Sequence, residues 1–116
     1  MLTLFRNHKL ERASALEDER ARTCVSIHVD GTIVGYILIF INGEIQYHIY
    51  EDYQGNGFCA EALTIVVGRF DWYCHLREPF LKIARENNFS QKVAKKCGFI
   101  CNNLKADIQH WTLKAD

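Results

Sequence analysis

Tyr47-His-Ile-Tyr-Glu-Asp-Tyr-Gln-Gly-Asn-Gly-Phe-Cys-Ala-Glu-Ala-Leu63 begins as the end of a strand, passes through a loop with two glycines and enters an amphipathic helix near Phe58. Gly55 and Gly57 lack a β-carbon, so the main chain there can turn its N–H groups toward one point. The first turn of the helix adds its own unpaired N–H groups and the positive end of its dipole. Strand, glycine loop and helix start in that order make a cradle for an anion, most often a phosphate. The same glycines also suit a plain tight turn, so the loop takes its meaning from the rest of the chain.

Upstream, three strands lead into the loop. Cys24–Val29 alternates and is rich in β-branched residues, and Asp30-Gly31 is a two-residue hairpin signal. Thr32–Ile41 is apolar on both faces, as a covered central strand is. Asn42-Gly43 turns the chain again and Glu44–Tyr50 returns as the third strand. Before them, Leu10, Ala13 and Leu16 stand at helical spacing, which predicts a helix from Lys9 to Arg22 with no strand in front of it.

Downstream, Cys59, Ala62, Leu63, Val66, Val67, Phe70 and Cys74 follow a helical period and predict one helix over 57–74. Pro79, the only proline, marks the break before a short strand, Phe80–Ala84. A helical crossover makes that strand a parallel neighbour of Glu44–Tyr50. Residues 87–97 read as a further helix, with Asn87 as cap, lysines in the last turn and Gly98 at the stop. Phe99–Asn102 and Ile108–Leu113 close as two antiparallel strands. The fold class is therefore α/β (α+β): a mixed, mostly antiparallel sheet with helices on both faces. No repeat or linker divides the chain, so one domain is expected over 1–116, with a short helical segment at 1–23 and the core at 24–113.

A chain of 116 residues has room for a single packed core. Fourteen basic and 14 acidic residues cancel, which argues against a nucleic-acid partner or a membrane-attracting face. The longest apolar run, Ile33 to Ile41, is too short for a bilayer, and the start carries no signal-peptide pattern, so the cytoplasm is the expected location. Five cysteines, an odd number without a C-x-x-C pair, indicate neither a disulfide framework nor a metal site. Cys74, His75 and His48 lack ligand spacing.

Residues 43–63 resemble the acetyl-CoA-binding segment of the GNAT-superfamily N-acetyltransferases, nearest to the ribosomal-protein alanine acetyltransferase (RimJ/RimL-like) branch. That family's loop reads Arg/Gln-x-x-Gly-x-Gly/Ala, and Gln54, Gly57 and Cys59 occupy its three defined positions. A second segment, Glu86-Asn-Asn-Phe-Ser90 through Lys96-Cys-Gly-Phe99, is similar to the family's Asn-x-x-Ser…Lys-x-Gly-Phe. The resemblance covers about residues 24–113. It implies an acetyl-CoA-dependent N-acetyltransferase without a metal, whose acceptor is a primary amine on a protein N-terminus or a small molecule.

The resemblance also implies roles. The pyrophosphate would rest on the main-chain N–H groups of Gly55, Asn56, Gly57, Phe58 and Cys59, with Gln54 beside them. The pantetheine arm would pair with main chain at Ile49 and Tyr50 where the sheet splays, and that backbone would polarise the thioester carbonyl. The amine would attack directly, with no covalent enzyme intermediate. Ser90 is the candidate donor to the departing sulfur and Glu44 the candidate base, with His48 on the same strand face as another option. Asn87 would hold the cofactor, cap its helix, or both.

Several positions depart from the family pattern. Gln54 brings no charge to the phosphate site. Cys59 stands where Gly or Ala is usual, and a thiol at a helix N-terminus is expected to be reactive. Ala94 occupies the position where many relatives carry a tyrosine acid. The short N-terminal part lacks the family's first strand, which leaves a sheet edge for a second copy of the chain, as a homodimer, or an open acceptor site. Two further readings stay open: a catalytically inactive acyl-CoA-binding module of the same fold, and a generic binder of nucleotide phosphates.

Overall fold

A computed structural model of the chain describes residues 1–113; residues 114–116 of the expected domain lie outside them. The elements follow as β1 (Leu2–Arg6), α1 (His8–Glu17), β2 (Ala21–Val29), β3 (Thr32–Phe40), β4 (Ile45–Ile49), α2 (Phe58–Gly68), α3 (Phe70–Tyr73), β5 (Phe80–Ala84), α4 (Asn88–Lys96), β6 (Ile100–Cys101) and β7 (Ile108–Thr112). Four strands form an antiparallel sheet in the order β1-β2-β3-β4, and three more form a second sheet in the order β5-β7-β6.

Alternation decides what each face covers. Val25, Ile27, Ile37, Ile39, Ile45 and Ile49 turn to one side of the first sheet and are buried there. They meet Cys59, Ala62, Leu63 and Val66, the apolar stripe of α2, in one core that also takes in Val93 and Ala94 of α4 and Leu81, Ile83 and Trp111 of the second sheet. Each fully buried Ile or Leu contributes about 1.5–3 kcal/mol, so this shared face holds the layers together. Ser26 lies on the opposite face, and Asn7 Nδ2 donates to its hydroxyl at 2.8 Å. This places α1 across the other side of the sheet, so helices flank both faces.

The two sheets touch through a single parallel bridge between Glu44 and Phe80, closed by the Phe80 N–H donating to the Gly43 carbonyl at 3.1 Å. Gly43 has φ of 97°, and a β-carbon there would collide with the Glu78 carbonyl. Only glycine lets the two strands approach this closely. Beyond the bridge β4 and β5 diverge, so the expected parallel neighbours meet only at the apex of a V.

Three expectations are corrected. A first strand is present: Leu2–Arg6 pairs with Val29–Val25, and Leu2 and Leu4 pack on the core while Thr3 and Phe5 face away. The edge left for a second chain is thus covered by the chain's own β1. The helix expected to Arg22 stops at Glu17, because the Asp18 N–H closes onto the Ser14 carbonyl and the Asp18 carboxylate takes both the N–H and the guanidinium of Arg20. That turn sends the chain into β2. The long helix over 57–74 divides at Gly68, where the Arg69 N–H swings back onto Val66 and Val67 and a separate turn, α3, begins. Among the described residues no helix is long and apolar enough to cross a membrane, and no group of three or more His, Cys, Asp or Glu is placed to hold a metal.

Candidate active site

A notch of about 200 Å³ opens where β4 and β5 part, walled by Ile45, Gln46 and Tyr47 on one side, Leu81, Lys82 and Ile83 on the other, and Ser90 of α4. Main-chain direction along β4 follows from its two ends. The Glu44 carbonyl accepts from Phe40 and the Tyr50 N–H donates to Val34, so even-numbered residues point their main chain at β3. Ile45, Tyr47 and Ile49 therefore turn theirs into the notch. This corrects the expectation for Tyr50: its N–H is engaged by Val34 and its carbonyl by Tyr53 N–H. Ile49 keeps its N–H toward the notch, while its carbonyl accepts from Gln54 Nε2 at 2.9 Å.

Following β4 toward its C-terminal end leads to a second hollow, of about 230 Å³, between the glycine loop and α4. Gly55 and Gly57 have φ of 83° and 76°, a left-handed backbone suited to glycine. Among the described residues, no protein acceptor lies on the N–H groups from Gly55 to Ala60; the first bond into α2 runs from the Glu61 N–H to the Gly57 carbonyl. Six such donors, at and before the positive end of α2, thus belong to residues that line this hollow. Gln54 braces the loop through Ile49, and Asn56 Nδ2 donates to the Tyr53 carbonyl at 3.1 Å.

Ser90 stands on the notch wall, half-buried, in the first turn of α4. Asn87 caps that helix, its Oδ1 accepting from the Ser90 N–H at 3.1 Å. Tyr47, to which the sequence assigned no chemical role, reaches under the notch and donates its hydroxyl to the Ser90 carbonyl at 3.0 Å. Burial first, then the nearby Cys59 thiol, hold that hydroxyl's pKa well above its ordinary value, so it stays protonated as a tie between β4 and α4. Glu44 is not on the notch wall. It sits at the apex, 4% exposed, with Oε2 accepting from Gln46 at 3.2 Å and Oε1 3.6 Å from Arg20. His48 lies on the opposite face from the core, exposed, with its ring 5.6 Å from Tyr36 and 5.7 Å from Tyr50. Cys59 is corrected: burial pushes its thiol up to about 12, and Cys97 adds to the shift, so the helix start does not make it reactive.

Sequence reasoning missed the Tyr47 hydroxyl and the two lysines, Lys92 and Lys96, that line the hollow beside the loop. Their spacing of one helical turn was visible, but nothing local ties α4 to the loop.

The sequence that builds this strand, loop and parting strand matches a known family model. The model described as acetyltransferase (GNAT) domain matches residues 4–100. The chain belongs to the GNAT acetyltransferase family. The GNAT fold recurs in solved structures at low identity. The spermidine N-acetyltransferase from Vibrio cholerae, in complex with CoA and spermine, superposes with a TM-score of 0.72 at 16% identity, covering 95% of this chain and 93% of that one. RimL, the ribosomal L7/L12 α-N-protein acetyltransferase, gives 0.70 at 17%, covering 99% and 95%. The microcin C7 self-immunity acetyltransferase MccE, in complex with acetyl-CoA and AMP, gives 0.71 at 18%, covering 93% and 67%. These likenesses establish the fold and do not single out the RimJ/RimL branch. No curated protein shows a significant sequence match.

Proposed function

We propose that the chain transfers an acetyl group from acetyl-CoA to a primary amine by direct attack in a ternary complex. The observation that carries this reading is the single track along β4, from the notch at Ile45 to the anion cradle past Ile49. Four residue steps of strand separate the two, about 13 Å. An extended ligand with an anion at one end and a reactive carbonyl at the other fits that layout. GNAT membership supplies the ligand class.

In this proposal the diphosphate rests on the N–H groups of Gly55, Asn56, Gly57, Phe58 and Cys59, with Gln54 bracing the loop and Asn87 at the rim beside Ser90. The pantetheine arm runs along β4 as an added strand, meeting the Ile49 N–H. The Tyr47 N–H, aimed into the notch, polarises the thioester carbonyl and stabilises the charge that develops on its oxygen. The amine comes from the Gln46 and His48 face and must arrive without its extra proton. Glu44 is close to that face but buried, so it accepts the proton through one water. When the tetrahedral intermediate collapses, the C–S bond breaks and the sulfur leaves as a thiolate. Ser90 Oγ gives it a hydrogen bond; a thiolate of such modest basicity leaves without a full proton transfer.

The acceptors named for the structural neighbours, spermidine and the amino terminus of L7/L12, both present primary amines. A protein N-terminus, as in the RimJ/RimL branch, or a small polyamine is accordingly the proposed acceptor class. Five free cysteines suit a reducing compartment, which supports the cytoplasm as the proposed location. The test is release of free CoA thiol from acetyl-CoA on incubation with peptides bearing a free α-amine and with polyamines. Release with at least one acceptor is expected. CoA binding without release for any acceptor would instead indicate the inactive binding module.

A further inference from the structure

The cradle is lined by main-chain N–H groups without a protein acceptor but by no cation of the loop itself. Gln54 stands where a charged arginine is the alternative, and its amide nitrogen is engaged by the Ile49 carbonyl. The half-charge at a helix start falls well short of a diphosphate's two negative charges. A compensating cation has to come from another element.

Two hollows flank Gly57. The first, about 230 Å³, lies between the loop and α4; the second, about 530 Å³, lies on the α2 side against Glu61, Thr64 and Ile65. They share Asn56, Gly57 and Ala60, and Lys96 is the α4 side chain that lines both. Its Nζ sits 4.0 Å from the point where a β-carbon on Gly57 would be. The ammonium therefore hangs over the centre of the loop. None of the ion pairs among the described residues involves it.

A simpler role for Lys96 is to stabilise the C-terminal end of α4, whose dipole favours cations there. Lys95 shares that last turn and is exposed too, yet lines neither hollow. A dipole role would fall on Lys95 and Lys96 alike, whereas a ligand role separates them; Lys92, one turn earlier, lines the first hollow but not the second.

We infer that Lys96 supplies the cation of the diphosphate site, closing over the anion from α4 while the loop holds it from below. The inference rests on the coenzyme A reading above. It also assigns Gly57 a second purpose, since any side chain there would stand between the ammonium and the ligand.

The test is calorimetry on the full chain with three ligands: CoA, dephospho-CoA, which keeps the diphosphate but lacks the 3′-phosphate, and S-acetylpantetheine, which has no phosphate. Wild type, Lys96→Gln, Lys96→Arg and Lys95→Gln are compared. Lys96→Gln should weaken CoA and dephospho-CoA equally, by about tenfold, the scale of one charge-assisted hydrogen bond. It should leave S-acetylpantetheine unchanged; Lys96→Arg should restore most of the loss, and Lys95→Gln should match wild type. The loss should shrink in high salt. Equal CoA affinity for wild type and Lys96→Gln overturns the inference, as does an equal loss in Lys95→Gln or a loss confined to CoA that spares dephospho-CoA. Failure of wild type to bind CoA at all overturns the coenzyme A reading itself.

Discussion

At the start of α2 two opposing influences act on one sulfur. The helix end favours a thiolate, and burial forbids it. Burial prevails at Cys59, 3% exposed and with its thiol pushed up to about 12. At neutral pH the thiolate is then on the order of one part in a hundred thousand. Iodoacetamide at neutral pH should label the half-buried Cys101 well before Cys59, which should react only after unfolding. Peptide mass spectrometry over a time course would show this, and equal native labelling of the two would contradict it. The family resemblance implied a small side chain at position 59, where Gly or Ala is usual. The sequence could not show depth, because the residues that cover Cys59 come from other elements. Tyr50 was misread for a related reason: alternation gives side-chain faces directly, but the main-chain direction depends on which residue of β3 it meets.

Among elements, β1, α1 and β2 are tied by one carboxylate. Glu11 accepts from Arg6 Nε at 2.8 Å and from the Cys24 N–H at 3.0 Å, with His8 Nδ1 3.3 Å away. Burial alone would raise its pKa; Arg6, the Cys24 N–H and His8 together outweigh it, and the group ends below its ordinary range. A depressed carboxyl stabilises the fold fully above its unfolded pKa, and that share is lost as pH falls through the lower folded value. Glu11→Gln should therefore lower stability at neutral pH, by less than ~1 kcal/mol given the exposed Arg6. The gap from wild type should close in acid, below about pH 4.3. Thermal midpoints measured from neutral to acidic pH would check it; a constant gap would assign Glu11 a purely steric role. The strand it anchors was hard to read, since Leu2 and Leu4 give only two alternations before the helix begins. The second tie, from Tyr47 to Ser90, joins β4 to α4. Tyr47→Phe should cost about 1 kcal/mol, because the Ser90 carbonyl keeps its place in the helix. If the tie also sets the notch, kcat should fall with KM for acetyl-CoA unchanged; an unaltered kcat would confine Tyr47 to stability.

For the whole molecule, the order of elements was legible because hairpin signals at Asp30-Gly31 and Asn42-Gly43 and the helix stripes are local features. The V was implied only through the family resemblance, since its apex depends on Gly43 meeting Glu78, and the notch follows from that long-range contact. The apex also decides between the two candidate bases. Glu44 sits there, buried, braced by Gln46 and near Arg20, while His48 stands exposed among Tyr36 and Tyr50 further along the same strand face. The Tyr47 N–H that would polarise the thioester is one residue from His48 and three from Glu44, so position along the strand favours the imidazole, whereas solvation favours the carboxylate. A buried carboxylate keeps the proton path out of bulk water, whereas an exposed imidazole shares its protons with solvent. Glu44→Gln should then lower kcat by about a hundredfold, the usual scale for losing a general base, and leave the affinity for CoA intact. Folding should survive, because Arg20 retains Asp18 at 2.7 Å. His48→Gln should stay near wild type, and Glu44→Asp should recover part of the rate. The opposite pattern, a loss in His48→Gln with Glu44→Gln active, would move the base to the imidazole and leave Glu44 as the brace that holds the apex closed.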